Sequence, residues 1–253
     1  MTSRPIVRKC PYCGAELRPR TAELFGKTVR CGFFDCTCEA SKEARVRELE
    51  EAADRERRDV LDSQMRRYRA AGIPPLFLKH RSGCESLYED VRREAGDVVS
   101  AFKRGRGSYI VGGVGTGKSL VAATAARYAV DCGLGARFTS ASEVLDAVRG
   151  SFGTSKDSRK VMDYYASTRF LVLDDLGKES PTDWVLMKLF ELVNDRYENM
   201  RPLVVTTQYQ RDELIARLAK NGDKETAVAI VSRLAETCDV RELTGRDRRL
   251  GNG

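Results

Sequence analysis

From about residue 76 onward, short apolar runs alternate with longer stretches in which apolar residues recur every three or four positions. That alternation predicts a parallel α/β domain, in which each strand is passed to the next by a helix. The run 108–111 (SYIV) reads as a strand entering a glycine loop, and 120–132 (LVAATAARYAVDC) as a buried helix stopped by Gly133 and Gly135. Residues 137–140 read as a short strand and 142–149 as a helix. The run 170–173 (FLVL) has no polar alternation, so it predicts a central strand covered on both faces. Ser180-Pro181-Thr182-Asp183 predicts a helix start: a cap, a proline in the first turn and an acid near the positive end. Trp184, Val185, Leu189, Phe190, Leu192 and Val193 give that helix an apolar face. Residues 203–207 (LVVTT) predict another strand, and helices near 210–219 and 224–236 with a strand near 239–243 complete the series.

The first third follows other rules. Residues 39–71 are dense in charge, free of Pro and Gly and rich in good helix formers. Val46, Leu49 and Ala53, then Leu61, Met65 and Tyr68, keep helical spacing around a wholly polar stretch at 54–59. This predicts a solvated helix with a narrow apolar stripe, ended by Gly72, Pro74 and Pro75. Residues 1–38 carry five cysteines and are too short to build a core without a staple. The expected organisation is a cysteine-rich module at 1–40, a charged helical linker at 41–72 and the α/β domain at 73–253.

A hydrophobic fraction of 42% over 253 residues excludes an intrinsically disordered chain. No apolar run approaches the roughly 18 residues that span a bilayer. MTSRPIVRKC has no apolar segment of a secretory signal, so a cytoplasmic protein with no membrane partner is expected. The formal charge of +7 permits an anionic partner such as nucleic acid. In a reducing compartment, clustered cysteines point to metal rather than to disulfides.

Residues 112–119 (GGVGTGKS) match the phosphate-binding P-loop, with a strand before and a helix after. Gly112, Gly113, Gly115 and Gly117 let backbone N–H groups turn inward around a phosphate, Val114 and Thr116 complete the loop, and the following helix supplies its positive end. Lys118 brings a charge to the β- and γ-phosphates, and the Ser119 hydroxyl is a ligand for Mg²⁺. Asp174 and Asp175 close the apolar strand about 55 residues further on, where an acid must sit to hold the Mg²⁺ shell (the Walker B position). Asp174 is the expected metal-side acid and Asp175 the group that orients or deprotonates water, with Glu179 a competitor for that role.

On Asp174-Asp-Leu-Gly-Lys-Glu, Pro181-Thr-Asp-Trp184, Asn194-Asp-Arg-Tyr197 and Arg201-Pro202 before a strand, the chain resembles the AAA+ helicase loaders of the DnaC/DnaI type and the related IstB transposase helpers. The resemblance covers about 72–253. It implies a slow ATPase that assembles into a helical oligomer, docks on the hexameric replicative DNA helicase and helps place it on single-stranded DNA. By the same resemblance 203–207 with Gln208 aligns with the γ-phosphate sensor strand, where Gln208 replaces an expected Asn and Thr207 is the fallback. Arg233, in Val-Ser-Arg-Leu, matches the arginine finger that enters a neighbour's site, its alternative being a salt-bridged surface arginine. Arg249 matches a second sensor, whereas Arg246 and Arg248 read equally as solvated charges. The stretch 144–165, with Arg149, Phe152, Lys156, Arg159, Lys160, Tyr164 and Tyr165, corresponds to the loaders' single-strand-binding insertion, or to an ordinary helix pair.

Cys10-Pro-Tyr-Cys13-Gly14 is a zinc-knuckle pattern. The second pair comes from Cys36, Cys38 and Cys31; Cys36 and Cys38 are preferred because Cys-x-Cys leads straight into the helix, as in the phage-type loaders this segment resembles, with Cys31 a contender. Transposase helpers usually lack such a module, so the resemblance favours a loader. His80 reads as a surface residue, Trp184 as a core anchor, and Cys84, Cys132 and Cys238 as small core residues. The expectation is therefore an α/β AAA+ P-loop ATPase, its central parallel sheet flanked by helices, with a small zinc module and a helical linker before it. The cofactors implied are ATP, Mg²⁺ and Zn²⁺. The rivals are an IstB-like helper of a DNA transposase and an adaptor gated by nucleotide that barely hydrolyses it.

Overall fold

The computed structural model describes residues 7–79, 85–151 and 158–245. The chain divides into two compact units, Met1–Gln64 and Met65–Gly253.

The first unit holds a hairpin of β1 (Pro19–Leu24) and β2 (Lys27–Phe33), then most of helix α1 (Glu39–Ala70). The hairpin is not apparent in the hydrophobic pattern, because both of its faces meet solvent and nothing enforces alternation. Among the described residues of this unit, only Cys10 and Ser41 are buried. Packing of apolar side chains therefore contributes little to its stability.

The second unit is a parallel sheet between two helical layers. Its strands are β3 (Gly107–Val111), β4 (Ala136–Ser140), β5 (Phe170–Asp174), β6 (Leu203–Thr207) and β7 (Cys238–Glu242), in the order β4-β5-β6-β3-β7. Every pairing is parallel. Because successive strand residues face opposite sides, one strand feeds two cores. Tyr109, Val111, Leu171, Leu173 and Val205 face helices α5 (Ala141–Arg149), α6 (Ser158–Ser167), α7 (Asp183–Glu198), α8 (Arg211–Leu218) and α9 (Lys224–Thr237). Ile110, Phe170, Val172 and Val204 face α3 (Glu85–Lys103), α4 (Lys118–Asp131) and the end of α1. The run 170–173 is wholly buried, as its unbroken apolar character predicts.

Three expectations need correction. Thr182, not Ser180, caps α7: its hydroxyl accepts from Val185 N at 3.3 Å, which leaves Pro181 outside the helix. Cys132 is exposed as the C-cap residue of α4, because the chain turns there toward Gly133. Helix α3 went unassigned, although Val91, Ala95, Val98 and Phe102 keep helical spacing. Cys238 is buried, and Pro75 opens a short helix, α2 (Pro75–Lys79).

Arg196 is the largest fully buried side chain, 1% exposed. Its guanidinium donates to the carbonyls of Tyr165 (3.2 Å), Ala166 (3.0 Å), Thr168 (2.8 Å) and Pro202, fastening the end of α6 and the entry to β6 onto α7. Burial lowers its pKa to about 10, so it remains a cation at neutral pH. Truncation strands those carbonyls in a dry site, so Arg196→Ala should lower unfolding free energy by about 3 kcal/mol or more. Arg201→Ala, which breaks a half-exposed ion pair with Asp195, should cost under about 1 kcal/mol. Urea titrations followed by Trp184, the chain's single tryptophan, measure both.

Candidate functional site: a phosphate loop, a buried acid and a four-sulfur cluster

The phosphate loop lies between β3 and α4, at the carboxyl edge of the sheet where parallel folds bind ligands. At Gly112 an added Cβ would stand 2.2 Å from the Leu243 carbonyl oxygen, so no other residue fits beside the chain that leaves β7. Gly117 enters α4 in the left-handed region (φ 98°), and no side chain caps the helix. Thr116 Oγ1 donates to Gly113 O at 3.0 Å and holds the loop closed on itself. Lys118 is 7% exposed, and its Nζ donates to Gly112 O at 2.9 Å and Gly113 O at 2.7 Å. Val114 projects into solvent.

Strand β6 lies between β3 and β5, so the loop and the acid are on strands that do not touch. Two hydroxyls stand beside the acid. The Ser119 hydroxyl stands near enough to Asp174 to lower its pKa. Thr206 Oγ1 donates to Asp174 Oδ1 at 2.6 Å and accepts from Asp175 N at 2.9 Å. Sequence reasoning passed over Thr206 in favour of Thr207 and Gln208. The usable signal was register: Thr206 lies opposite Ile110, one residue before the strand meets the loop. Thr207 Oγ1 instead donates to Leu176 O at 2.7 Å, and Gln208 Nε2 donates to the Tyr209 hydroxyl at 3.3 Å.

Burial raises the pKa of Asp174, and the neighbouring Asp175 raises it further, while the Thr206 and Ser119 hydrogen bonds pull it down. Asp175 sits at φ 58° and pairs with Lys178 Nζ at 2.6 Å. Glu179 is buried, its pKa raised by that burial, and its Oε2 accepts from Gly177 N at 2.9 Å. That contact makes it a clamp on the loop after Asp175. Arg217 Nε holds the Gly177 carbonyl from the other side at 2.9 Å.

Arg233 lies on α9, away from these groups. Its Nε donates to Asn194 Oδ1 at 2.8 Å, and its guanidinium rests over Phe190 (4.7 Å) and Tyr197 (5.4 Å) of α7. The expected insertion is divided in use: Tyr165 is in the core, Arg149 stacks over Trp184 at 4.6 Å, and Tyr164 is exposed. His80, Cys84, Phe152, Lys156, Arg246, Arg248 and Arg249 lie outside the described residues.

In the first unit, the sulfurs of Cys10, Cys13, Cys36 and Cys38 all lie within 4.8 Å of one another. Cys10 Sγ is 3.8 Å from Cys38 Sγ, and Cys13 Sγ is 3.5 Å from Cys36 Sγ. A tetrahedral Zn²⁺ with thiolates at about 2.3 Å has sulfur–sulfur edges of about 3.8 Å, so the cluster fits zinc. Gly14 N bonds Cys10 O at 2.9 Å in the knuckle turn, and Cys38 sits at the head of α1. The backbone N–H of Cys13 draws the Cys10 thiol down to about 7. Cys31 stands apart on β2, its Sγ 3.6 Å from Val29 O.

Two outcomes follow from this geometry. Cys10→Ser and Cys38→Ser should each lose the zinc measured per chain by elemental analysis, whereas Cys31→Ser keeps it; equal loss in Cys31→Ser would put the wrong four sulfurs together. For Asp174 the linkage sign is fixed by its raised pKa: the folded chain binds the proton more tightly than the unfolded one, so without Mg²⁺ stability falls as pH rises through that pKa. Asp174→Asn should therefore melt higher than wild type at pH 7 without Mg²⁺. It should also lose about tenfold or more of Mg²⁺-dependent ATP affinity. A lower melting temperature would contradict this account.

The family model described as IstB-like ATP binding protein matches residues 100–252. No curated protein matches the chain. Among solved structures, DnaI is similar at 21% identity, over 68% of this chain and 94% of that one, with a TM-score of 0.55. AMPPCP-bound DnaA from Aquifex aeolicus is similar at 22% identity, over 68% of this chain and 51% of that one, with a TM-score of 0.51. Domain III of the Thermotoga maritima replication initiation protein DnaA is similar at 20% identity, over 66% of each chain, with a TM-score of 0.50. At these identities the likeness is one of fold, and this chain spans about half the length of the Aquifex protein. With a model matched over more than half its length, a P-loop at the head of α4 and a half-buried acid at the end of β5, this chain belongs to the IstB-like ATP-binding family, and its second unit is an AAA+ P-loop domain.

Proposed function

We propose that this chain is an ATP-dependent loader that places the hexameric replicative DNA helicase on single-stranded DNA, working in the cytoplasm as a self-associated helical oligomer. The observation that carries its ATPase core is the meeting of Ser119 and Asp174 beneath the phosphate loop, with Thr206 fixing the acid from the intervening strand. Bound Mg²⁺ would neutralise charge developing on the phosphates. Lys118 would exchange its two carbonyl partners for phosphate oxygens, and Ser119 and Asp174 would hold the metal shell. Asp175, paired with Lys178 at 2.6 Å, is the group assigned to orient the attacking water. Thr207 and Gln208 are assigned to γ-phosphate sensing, and Arg249 to the second sensor. Each of the first two would have to give up its present partner.

Arg233 is proposed as the finger that completes a neighbour's site. In the single chain it rests on α7, which accords with slow turnover by an isolated protomer. Among the described residues no helix is long and apolar enough to cross a membrane, which suits soluble partners. The four-sulfur module ahead of the ATPase unit favours the loader, because the resembling transposase helpers usually lack one. The helper reading has its own support: the matching family model carries the IstB description.

Light scattering on a sizing column separates the two readings. The chain mixed with the replicative helicase of its own genome and ATP should elute as a complex of defined stoichiometry, and Lys118→Ala should weaken that complex about tenfold or more. A chain that binds ATP but forms no such complex belongs with the transposase helpers.

A further inference from the structure

The hairpin of the first unit carries a feature that folding does not explain. Its two-residue turn places Phe25 at φ 52° and Gly26 at φ 72°, a tight hairpin turn whose first position ordinarily takes Asn, Asp or Gly. Phe25 is also 104% exposed. A bulky ring held in a left-handed conformation and fully in water gains the fold nothing. A ligand is the remaining reason to keep it there.

The surroundings state the ligand's chemistry. Between residues 7 and 38, six cations (Arg8, Lys9, Arg18, Arg20, Lys27 and Arg30) stand against three carboxylates, and all six are exposed. Two of the arginines lie over rings: Arg20 over Phe34 at 4.8 Å and Arg30 over Phe33 at 5.9 Å. Each pair sets a cation beside a flat apolar face, the combination that meets a nucleotide's phosphate and its base. Register and alternation put Arg20, Ala22 and Leu24 on one face with Val29 and Lys27, and Thr21, Glu23, Thr28 and Arg30 on the other. The ribbon is therefore lined with cations on both sides and tipped by an exposed ring. The excess of positive charge and the ring–guanidinium pairs favour a polyanion with π-faces.

We infer that the β1–β2 hairpin is a single-stranded nucleic-acid contact, with Phe25 stacking on a base and Arg20 and Arg30 engaging flanking phosphates. It rests on the single-strand partner of the proposed loader but needs neither helicase nor ATP hydrolysis.

The test uses the full zinc-loaded chain without nucleotide. Fluorescence anisotropy with a labelled oligothymidylate of roughly 16 nucleotides is measured across a salt series. Phe25→Ala should weaken binding about tenfold with an unchanged salt slope, and Phe25→Tyr should restore it, because the ring stacks and carries no charge. Arg20→Ser with Arg30→Ser should weaken binding and lower the logarithmic salt slope by about 1.4, the value for two phosphates of a single strand. Zinc content and ATP affinity should match wild type in every variant. The inference is overturned if the full chain does not bind the oligonucleotide, if the variants bind as wild type, or if they weaken binding with no such division of the salt slope. It is also overturned if they bind DNA normally but lose the helicase complex, which would make the ribbon a protein-docking face. Failure of the loader reading would look different: DNA binding through the hairpin with no helicase complex at all.

Discussion

Strand β6 stands between the strand that carries the phosphate loop and the strand that carries Asp174, and everything in the site depends on how that separation is crossed. Thr206 fixes the acid to β6 with one hydroxyl, donating to the carboxylate and accepting from the next backbone N–H, while β6 meets β3 through parallel backbone pairing. Because the same oxygen serves both bonds, the position of the acid, the left-handed turn at Asp175 and the end of β6 are set together. Arg196 supports the arrangement from below by tying the entry of β6 to α7 through carbonyls. A displacement of β6 would move Asp174 relative to Ser119.

The interior of the AAA+ unit was readable because its strands are buried on both sides. Phe170–Asp174 and Leu203–Thr207 have no polar alternation to confuse the period, and both fall where the apolar runs place them. The phosphate loop was readable because its chemistry demands particular residues at fixed spacing. Thr206 was not, because the sequence shows two adjacent threonines and only the register shows which faces the acid. The hairpin was missed for the opposite reason to the strands: with both faces in water, β1 and β2 have no pattern to display. Cys132 was misread because a small apolar residue after a buried helix reads as core until the turn that ends the helix is seen.

Arg233 illustrates a limit of another kind. Its motif suggests a finger, yet in a single chain the guanidinium is satisfied by Asn194 and lies over two rings. Those contacts are modest and lie partly in solvent, so a neighbour's phosphates can compete for the charge. The single chain thus shows how Arg233 is held on α7, and the finger role rests on its motif.

The two units solve the problem of stability differently, and the difference bears on control. The AAA+ unit has two cores on a five-stranded sheet, and among its unfavourable features is the partly desolvated carboxylate of Asp174. Whatever neutralises that carboxylate stabilises the fold, so Mg²⁺-nucleotide binding and rigidity of the sheet edge rise together by mass action. The N-terminal unit has almost no core, with Cys10 and Ser41 its buried residues among those described. A metal joining four thiolates would replace packing there, since binding free energy at such a site is folding free energy. Zinc at the four sulfurs and Mg²⁺-nucleotide at the phosphate loop would give one chain two folding equilibria linked to different ions. Chelation of zinc should leave the nucleotide site intact, and exchange of nucleotide should leave the sulfur module folded.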